Sequence, residues 1–512
     1  MRDRQPISRG NRNNRKMTMK EMNTQYQLDT LLKRVEKPGR YIGGELFSAQ
    51  KDPQKVDARF AFAFPDLYEI GMSYLGLQIL YHQLNKQENI YCERVFAPAG
   101  DMEALMRQEQ VPLMTLETKT PLVEMDFVGF TLQYEMSFTT ILNMLELAGM
   151  PVYAKARGDE FPLVIAGGPC AFNPEPLADF VDLFLIGDGE QALPALVQKY
   201  IECKQNGITT KEGFLREACQ LEGVYVPRFY DVVYAEDGTI KELCKLYEGA
   251  PLPVCRAILP EIETVDFPVE PVIPIVEAVH DRSVVETFRG CTRGCRFCQA
   301  GMIYRPVRER SKDKILQLAE KQLKNTGNDE LSLLSLSTSD HSCFEALTMA
   351  LIDYTKRENI SLSLPSLRVD KFAFDVLNRI QEYKKSGLTY APEAGTQRLR
   401  DVINKGVTES DIYQSIEQAL ELGWKHIKLY FMIGLPTETY EDLDGIVEIA
   451  RNIRELNYKV NGPKGGRFSL TVSVSNFVPK AHTPFQWMPQ GIEILACYEL
   501  PAEVKSLAAA AD

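Results

Sequence analysis

Three cysteines lie close together in the segment 288–301, FRGCTRGCRFCQAG, and their spacing is the most informative chemical feature of the chain. Cys291, Cys295 and Cys298 are arranged as C-x3-C-x2-C on a stretch that also contains three glycines. Cysteine thiolates are the usual protein ligands of iron–sulfur clusters, and a [4Fe–4S] cluster has four irons to be ligated. Three cysteines therefore leave one iron open to a ligand that is not part of the protein.

A structural zinc site is the principal alternative for these cysteines. Zinc of that kind needs four protein ligands, which are normally arranged as two pairs. Cys295 and Cys298 form one C-x2-C pair, and no second pair follows in the sequence. His280, Cys255 or Cys343 would complete the set only if folding happened to bring one of them near. A ferredoxin-like carrier would also need a fourth cysteine at a suitable distance, so the spacing favours a cluster with an open iron.

The cysteine spacing, together with Phe297 directly before the third cysteine, resembles the cluster motif of the radical S-adenosylmethionine (SAM) enzymes. The resemblance implies that Cys291, Cys295 and Cys298 hold a [4Fe–4S] cluster and that the amino and carboxylate groups of SAM chelate its open iron. It also implies that an electron from the cluster splits SAM into methionine and a 5′-deoxyadenosyl radical.

The composition is typical of a globular protein of the reducing cytoplasm. The 512 residues are 45% hydrophobic and 25% charged, without a run of about eighteen apolar residues or a secretory signal. The sequence therefore predicts no membrane partner. A net charge of −12 argues against broad nucleic-acid binding but leaves room for a local basic groove.

The 11 cysteines are an odd number without a regular framework, which argues against a disulfide scaffold. Those outside the motif are expected to be buried small hydrophobic residues. They are Cys92, Cys170, Cys203, Cys219, Cys244, Cys255, Cys343 and Cys497.

Apolar strand-like runs alternate with helical stretches in residues 57–205. Strands are predicted over Phe60–Phe64, Phe127–Gln133, Leu163–Ala166 and Phe184–Ile186, and helices over Tyr74–Leu84, 135–149 and 191–204. Strands that end in glycine or Pro-Asp turns before helices are typical of doubly wound parallel sheets, so this part is predicted to be a flavodoxin-like α/β domain. Ligands bind beyond the carboxyl ends of such strands. Those ends carry Asp66, Tyr68, Gln133, Tyr134, Glu135, Gly167, Gly168, Asp188 and Glu190.

A flavodoxin-like domain placed before this cluster motif resembles the cobalamin-binding domain of the B12-dependent radical SAM class. The segments IAGGPCAFNPEP (165–176) and IGDGE (186–190) support the resemblance. The cofactor site that it implies comprises Asp66, Gly167, Gly168, Gly187, Asp188 and Glu190.

The D-x-H-x-x-G motif, whose histidine ligates cobalt in cobalamin-dependent mutases, is incomplete in this chain because Tyr68 stands in the histidine position. A corrinoid would therefore bind without a histidine on its lower face. The alternative is a domain that has kept only the fold and faces the substrate.

Six further strand-like runs are separated by helical stretches in residues 281–490. The strands are predicted at Val284–Phe288, Leu331–Leu336, Ile360–Leu364, Leu388–Ala391, His426–Ile433 and Leu470–Asn476, and the helices near 312–325, 343–357, 370–384, 409–422 and 439–456. Six units in series match the partial (β/α)6 barrel that the resemblance implies. Chemistry is expected at the carboxyl ends of its strands.

Residues at these strand ends resemble the SAM contacts of the family, which implies their roles. Ser337 follows the second strand, where relatives contact the SAM amino group, and Glu393 ends the fourth, where a glutamate reaches SAM or its ribose. Gly434 and Pro436 belong to the turn that borders the adenine, and Val478 follows the sixth strand, where backbone groups meet the adenine. The sequence does not identify a catalytic acid or base.

Charged and aromatic residues near the motif have two interpretations. The arginines of Arg305–Arg310 either clamp a carboxylate or phosphate of the substrate, or form a solvated turn with internal ion pairs. His426 lies in an apolar strand and is expected to be a core histidine, whereas His482 and Tyr430 are candidates for proton transfer if they face the site.

The chain is predicted to divide into six parts. They are a disordered basic tail (1–23), a helix and lead-in (24–56), the cobalamin-binding-like domain (57–205), a small hairpin region and linker (206–280), the radical SAM core (281–490) and an irregular, truncated or divergent C-terminus (491–512).

These features predict a radical SAM enzyme which, if cobalamin is bound, methylates an unactivated carbon. Cobalamin-independent rearrangement or methylthiolation, and a non-catalytic iron–sulfur redox protein, are the alternatives. The expected partners are a small-molecule or peptide substrate and a reductant such as flavodoxin or ferredoxin.

Overall fold

Two α/β regions and an extended segment between them make up the part of the chain that this computed structural model describes, residues 27–364, 388–462 and 468–491. The predicted basic tail, the predicted helix 370–384 and residues 492–512 lie outside these ranges.

The N-terminal region is built on a six-stranded sheet with the order β2-β1-β3-β4-β5-β6. The strands are β1 (Ala58–Phe64), β2 (Ile90–Phe96), β3 (Phe127–Thr131), β4 (Leu163–Gly167), β5 (Leu183–Leu185) and β6 (Val224–Tyr225). The first five strands are parallel and β6 is antiparallel to β5. The order 2-1-3-4-5 is that of the flavodoxin-like doubly wound fold, so the predicted fold class is confirmed.

Helices cover this sheet and bury its apolar side chains in one continuous core. Their bounds are Gly39–Ile42, Tyr68–Met72, Leu75–Asn85, Gly100–Glu109, Phe138–Leu147, Gly189–Gln205 and Lys211–Ala218.

Strand β2 was not predicted, because two adjacent charged residues, Glu93 and Arg94, interrupt its apolar pattern. Both are fully buried in the fold. Arg94 forms ion pairs with Glu45 at 2.8 Å and Glu117 at 2.7 Å, and Glu93 pairs with Arg59. Partners distant in sequence thus compensate the cost of burying these charges.

The predicted hairpin after this domain begins later than expected. It consists of β7 (Tyr230–Tyr234) and β8 (Ile240–Lys245), while Val224 and Tyr225 belong to the main sheet. The proline-rich segment that follows contacts both regions. Ala257 pairs with Gly187 of the N-terminal region, whereas the Pro268 carbonyl accepts a hydrogen bond from Gln322 of the barrel.

The second region contains all six predicted barrel strands, divided into two parallel three-stranded sheets with the orders β13-β12-β9 and β14-β15-β16. The strands from here on are β9 (Ser283–Glu286), β10 (Phe288–Arg289), β11 (Arg308–Glu309), β12 (Glu330–Leu334), β13 (Ser361–Ser363), β14 (Leu388–Glu393), β15 (His426–Ile433) and β16 (Ser469–Asn476). Strands β10 and β11 form an additional antiparallel pair that was not predicted.

Helices alternate with these strands, as expected for a partial (β/α)6 barrel. They are Ala300–Ile303, Lys312–Thr326, Phe344–Glu358, Gln397–Val402, Glu409–Glu421 and Tyr440–Asn461. Their apolar faces pack on the outer side of the two sheets in separate clusters. Within the described ranges, no helix combines the length and the apolar character that crossing a membrane would require.

Candidate functional site

The three cysteines of the motif lie on a loop whose ends are held together by the β10–β11 pair. Cys291, Cys295 and Cys298 are of intermediate exposure, and none of them is joined in a disulfide within the described residues. The first follows Gly290, which has φ +93°; a Cβ there would lie 2.7 Å from the Tyr304 carbonyl oxygen. Only glycine therefore allows the returning chain to pass so close to the first cysteine.

The donor set, three cysteine thiols on one loop, is of the kind that iron–sulfur clusters use. Within the described residues, no three His, Cys, Asp or Glu side chains converge closely enough to bind one metal ion. A four-iron cluster places each thiolate on a different iron, so its thiolates stand farther apart than the ligands of one zinc ion. Burial raises the pKa of the Cys298 thiol, and a hydrogen bond from the Gly301 amide to its Sγ, at 3.4 Å, acts in the opposite direction.

An ion pair ties the cysteine loop to the end of the second barrel strand. Arg293 contacts Asp340 through two hydrogen bonds of 2.6 and 3.1 Å. Asp340 also accepts a hydrogen bond of 2.8 Å from Ser337, the residue predicted to meet the SAM amino group. The structure thus places Ser337 beside the loop that carries the thiols.

Glu393 ends the fourth barrel strand in a left-handed conformation, with φ +70°. Its carboxylate pairs with Lys405 at 3.0 Å, and both side chains are largely buried. Both charges are near enough to Cys298 to shift the pKa of its thiol in opposite directions. A non-glycine residue at positive φ persists only where its surroundings hold it, and such positions cluster at functional sites.

The predicted adenine-side residues lie together at the ends of the fifth and sixth strands. Gly434 donates its amide to Glu438 at 2.5 Å, and burial raises the pKa of Glu438 to about 7. Pro436 is buried, whereas Val478 is 54% exposed. The Phe477 carbonyl, next to Val478, accepts a hydrogen bond of 2.6 Å from Gln490.

Phe297, the aromatic residue of the motif, packs into a small apolar cluster under these strand ends. Its neighbours include Leu399, Leu435 and Phe477. The motif aromatic thus joins the cysteine loop to the strand ends predicted to bind SAM.

A cavity of about 550 Å³ lies between the N-terminal sheet and the barrel. Its N-terminal wall includes the predicted residues Gly167, Gly168 and Gly187, beside apolar side chains of the sheet. Its opposite wall includes Arg289 and Tyr304 from the cysteine loop and its flank. The carboxyl end of the flavodoxin-like sheet therefore faces the loop that carries the thiols.

A cluster of charges, which we call the arginine clamp, joins the two regions at this cavity; it consists of Arg289, Arg308, Asp188, Glu190 and Glu286. Arg289 pairs with Asp188 at 2.8 Å, with Glu190 at 2.6 Å and with Glu286 at 3.0 Å. Arg308 also pairs with Asp188. Burial alone would raise the pKa of Asp188, but the two arginines hold it below its usual value.

The clamp changes the interpretation of several predicted residues. Asp188 and Glu190 line the cavity as expected, but their carboxylates are engaged by arginines of the barrel. Arg308 and Arg310 are buried and Arg305 is exposed, so the segment Arg305–Arg310 is not a solvated turn as a whole, and Arg308 and Arg310 are not a free clamp for substrate. Arg310 donates to the Glu286 and Ile262 carbonyls.

Asp66 and Tyr68 do not line the cavity. Asp66 lies at the same edge of the sheet and accepts a hydrogen bond of 3.4 Å from Tyr134. Tyr68 is buried and donates its hydroxyl to Glu45 at 3.0 Å. The residue in the histidine position of the incomplete motif therefore points into the N-terminal core.

Two predictions about isolated residues were wrong. His426 is exposed, because it lies on the face of β15 opposite the buried Ile427 and Leu429. Cys255 and Cys343 are exposed as well, whereas Cys92, Cys170, Cys203 and Cys219 are buried as expected and Cys244 is half-buried. His482 lies close to the site and its Nε2 is 2.7 Å from the Phe172 carbonyl oxygen, which adds a second contact between the two regions.

Sequence reasoning missed Arg289, Lys405 and Tyr304. Arg289 stands directly before the Gly-Cys of the motif, which is the one sequence signal that could have indicated its role. Lys405 and Tyr304 gain their positions only through tertiary contacts.

Comparisons with known proteins agree with this architecture. Residues 76–227 match the family model described as radical SAM proteins, N-terminal, and residues 285–450 match that of the radical SAM superfamily. An uncharacterised protein of Methanocaldococcus jannaschii is 27% identical over 434 residues, which are 84% of this chain and 80% of the relative. An uncharacterised methyltransferase of Pyrococcus horikoshii is 22% identical over 58% of this chain and 59% of its own length.

Two solved structures share the fold across both regions. The radical SAM methyltransferase TsrM from Kitasatospora setae, with cobalamin and a [4Fe–4S] cluster bound, aligns with a TM-score of 0.53 at 14% identity, over 87% of this chain and 79% of its own. The cobalamin-dependent SAM radical enzyme OxsB, with aqua-cobalamin bound, aligns with a TM-score of 0.52 at 13% identity, over 86% and 62%.

Proposed function

The chain belongs to the radical SAM superfamily, and we propose that it is an enzyme that binds a [4Fe–4S] cluster through Cys291, Cys295 and Cys298 and cleaves SAM reductively. When bound, the cluster supplies the electron that divides SAM into methionine and a 5′-deoxyadenosyl radical, which abstracts hydrogen from an unactivated carbon. The observation that carries this proposal is the trio of cysteine thiols on one loop at the carboxyl end of a partial barrel.

The residues around the loop bind and orient SAM in this proposal. Ser337 and Glu393 are polar side chains at the ends of the second and fourth barrel strands, and each is fixed by a charged neighbour, Asp340 and Lys405 respectively. Such fixed polar groups can hold a charged amino acid moiety with little reorganisation. Gly434 and Pro436 belong to the turn that would border the adenine and are both buried, whereas Val478 offers an exposed apolar side chain.

We further propose that the cavity between the two regions holds the corrin ring of a cobalamin. Cobalamin would supply the methyl group for the carbon radical, which makes methylation of an unactivated carbon the favoured reaction. Support comes from the size of the cavity, from its bare glycine wall at 167 and 168, and from its position between the flavodoxin-like sheet and the cysteine loop. The fold shared with two cobalamin-bound structures agrees with this assignment.

The chain would bind the corrinoid without a histidine from the usual position, since Tyr68 is buried away from the cavity. Of the five histidines in the chain, His280 is the one in the cavity lining, and it is exposed.

The proposal is tested by anaerobic purification and reconstitution with iron and sulfide, followed by incubation with SAM and Ti(III) citrate. We expect 5′-deoxyadenosine and methionine in equal amounts by mass spectrometry. An intact cluster without cleavage would instead identify a redox carrier. Visible spectra before and after incubation with hydroxocobalamin test the second cofactor, and the absence of any retained corrinoid band would remove methyl transfer from the proposal.

A further inference from the structure

The acids and arginines that line the cavity between the N-terminal sheet and the barrel are all ion-paired. Four of them belong to the arginine clamp, namely Asp188, Glu190, Glu286 and Arg289. The fifth, Arg282, pairs with Glu330 at 3.1 Å. A ligand that enters the cavity therefore meets acids and arginines that are already engaged with each other.

Tyr304 differs from these groups because its hydroxyl is unused. It directly follows the short helix Ala300–Ile303 behind the cysteine loop, is half-buried and lines the cavity. Within the described ranges its hydroxyl forms no hydrogen bond with another residue. Burial raises the pKa of Tyr304, nearby Arg289 lowers it, and Asp188 and Glu286 raise it further, which places the hydroxyl beside the arginine clamp. The group is thus a neutral hydrogen-bond donor that faces the cavity.

Tyr74 is a second phenol in the cavity lining, but the protein already uses its hydroxyl. It caps the helix Leu75–Asn85 of the N-terminal region, and its ring packs against that of Phe64 with the centroids 5.6 Å apart. Burial raises the pKa of Tyr74, and a hydrogen bond between its hydroxyl and the Gln133 side chain lowers it. In the described part of the chain, the hydroxyl of Tyr74 therefore has a partner and that of Tyr304 does not.

We propose that Tyr304 binds the ligand of this cavity, and that its hydroxyl donates a hydrogen bond to an uncharged carbonyl oxygen of that ligand. The inference rests on the proposed function, in which the cavity holds a corrin ring. Carboxamide side chains at the periphery of the ring supply oxygens of this kind. Because Tyr304 adjoins the helix behind the thiols, the bond would tie the ligand to the segment that carries them.

The charges of the cavity favour an uncharged carbonyl over a carboxylate. A carboxylate would lose its water in a place where the arginines are already paired, and that loss costs more than one phenol returns. The arginine clamp also contains three acids and two arginines, so a further negative charge would be repelled. A neutral carbonyl carries neither cost and uses the hydroxyl that the protein leaves without a partner.

The first test compares Tyr304→Phe with the matched variant Tyr74→Phe, since each removes one hydroxyl from the cavity lining and keeps the ring. In the apoprotein, Tyr304→Phe should leave the midpoint of thermal unfolding unchanged, because no hydrogen bond is lost, whereas Tyr74→Phe should lower it. Binding of dicyanocobinamide, a corrinoid with carboxamide side chains, is measured by equilibrium dialysis. We expect the affinity of Tyr304→Phe to fall about threefold to tenfold and that of Tyr74→Phe to change less than about twofold.

The second test compares dicyanocobinamide with dicyanocobyrinic acid, which carries carboxylates where cobinamide has amides. We expect wild type to bind the acid about tenfold more weakly or less well still. Equal binding of the acid and the amide would overturn the preference for an uncharged ligand.

The role of Tyr304 has its own contrary outcomes. Equal affinities of wild type and Tyr304→Phe for dicyanocobinamide would overturn it. A loss of stability in the Tyr304→Phe apoprotein as large as that of Tyr74→Phe would overturn it too, because the hydroxyl would then have a partner in the protein. If wild type binds neither corrinoid, the proposed cofactor is refuted and the inference with it, while the assignment of the thiols to a cluster is unaffected.

Discussion

The N-terminal sheet and the barrel border one cavity, but the carboxyl ends of their strands carry different residues. The barrel ends carry the thiols, Ser337, which donates to Asp340, and Glu393, which has a positive φ. The edge of the N-terminal sheet presents glycines, and its two cavity-lining carboxylates, Asp188 and Glu190, are turned to arginines of the barrel.

In the proposed function, this difference divides the labour: the barrel edge would hold the reacting groups and the N-terminal edge would enclose a large ligand. Polar groups of the barrel edge are aimed and held, as a site that must orient a charged cofactor requires. The N-terminal wall of the cavity is mostly glycine and apolar side chains, with Ser73, Tyr74 and Thr131 as polar members besides Asp188 and Glu190. Its acids hold the cysteine loop in position and so contribute to the site without being exposed for ligation.

Removing the thiols is expected to have the largest effect, and it tests the role of the barrel edge without changing the N-terminal edge. Any of Cys291→Ala, Cys295→Ala or Cys298→Ala is expected to abolish SAM cleavage and most iron binding, because a cluster with two thiolates is poorly held. Hydroxocobalamin uptake should be unchanged in these variants. Iron and sulfide analysis provides the measurement, and Cys343→Ala, at an exposed cysteine outside the loop, is the control. Full iron content in the triple variant would refute the cluster assignment.

The converse change fills the cavity and leaves the thiols intact. Gly167 lies on the cavity wall, and a Cβ there would lie 3.3 Å from the Leu185 carbonyl oxygen, so Gly167→Leu requires a small shift of that backbone and adds side-chain volume at the wall. We expect retained hydroxocobalamin to fall about tenfold or more, with iron content unchanged. Spectroscopic titration measures the uptake. Gly100→Leu, on an open surface, is the matched control; undiminished uptake by Gly167→Leu would place the corrinoid elsewhere.

The contact between the edges is tested through the arginine clamp. Replacing Arg289 by alanine leaves three largely buried carboxylates with less compensating charge, so we expect the free energy of unfolding to fall by about 3–5 kcal/mol. Denaturant titration of the apoprotein measures this fall. Arg305→Ala removes an exposed arginine of the same segment and should cost less than about 0.5 kcal/mol. A loss at Arg289 no larger than that of the control would show that the clamp does not hold the regions together.

A smaller expected effect is a difference between the two edges in how the free energy of unfolding depends on pH. The pKa of Glu438 is raised from 4.5 to about 7, so its ionisation opposes folding and stability is lost as the pH rises from about 4.5 to 7. The pKa of Asp188 is lowered below 3.8, so its contribution is present above that pH and lost below it. Relative to wild type, Glu438→Gln should therefore gain stability as the pH rises through this window, while Asp188→Asn should show no such gain. Parallel profiles for the two variants would contradict the opposite shifts.

The barrel could be predicted from the sequence almost strand by strand, because its strands are short apolar runs followed by amphipathic helices. Strand β2 could not, since its buried Glu93 and Arg94 make sense only once partners from elsewhere in the chain are in place. The burial of His426 was predicted wrongly for a related reason: alternation along β15 separates it from its apolar neighbours.

The cysteine ligands of the site could be proposed from spacing alone, since the motif is local. The arginine clamp could not, because Arg289 and Asp188 are 101 positions apart in the sequence. The roles of Asp188 and Glu190 depend on that contact. Glycine-rich turns predict where a ligand can approach. They do not predict which neighbouring charged side chains will form ion pairs with residues of another domain.

The proline-rich segment that contacts both regions has a consequence for how the chain can be divided into fragments. A fragment that begins at residue 281 would carry Arg289 and Arg308 without Asp188 and Glu190, and would also lose Ala257, which lies against Gly187 and continues the edge of the first sheet. The complementary fragment would expose two acids whose counter-charges had been removed with the barrel. The halves are thus electrostatic complements, and we expect them to be recovered as stable proteins only when produced together, with their reassociation weakened by salt.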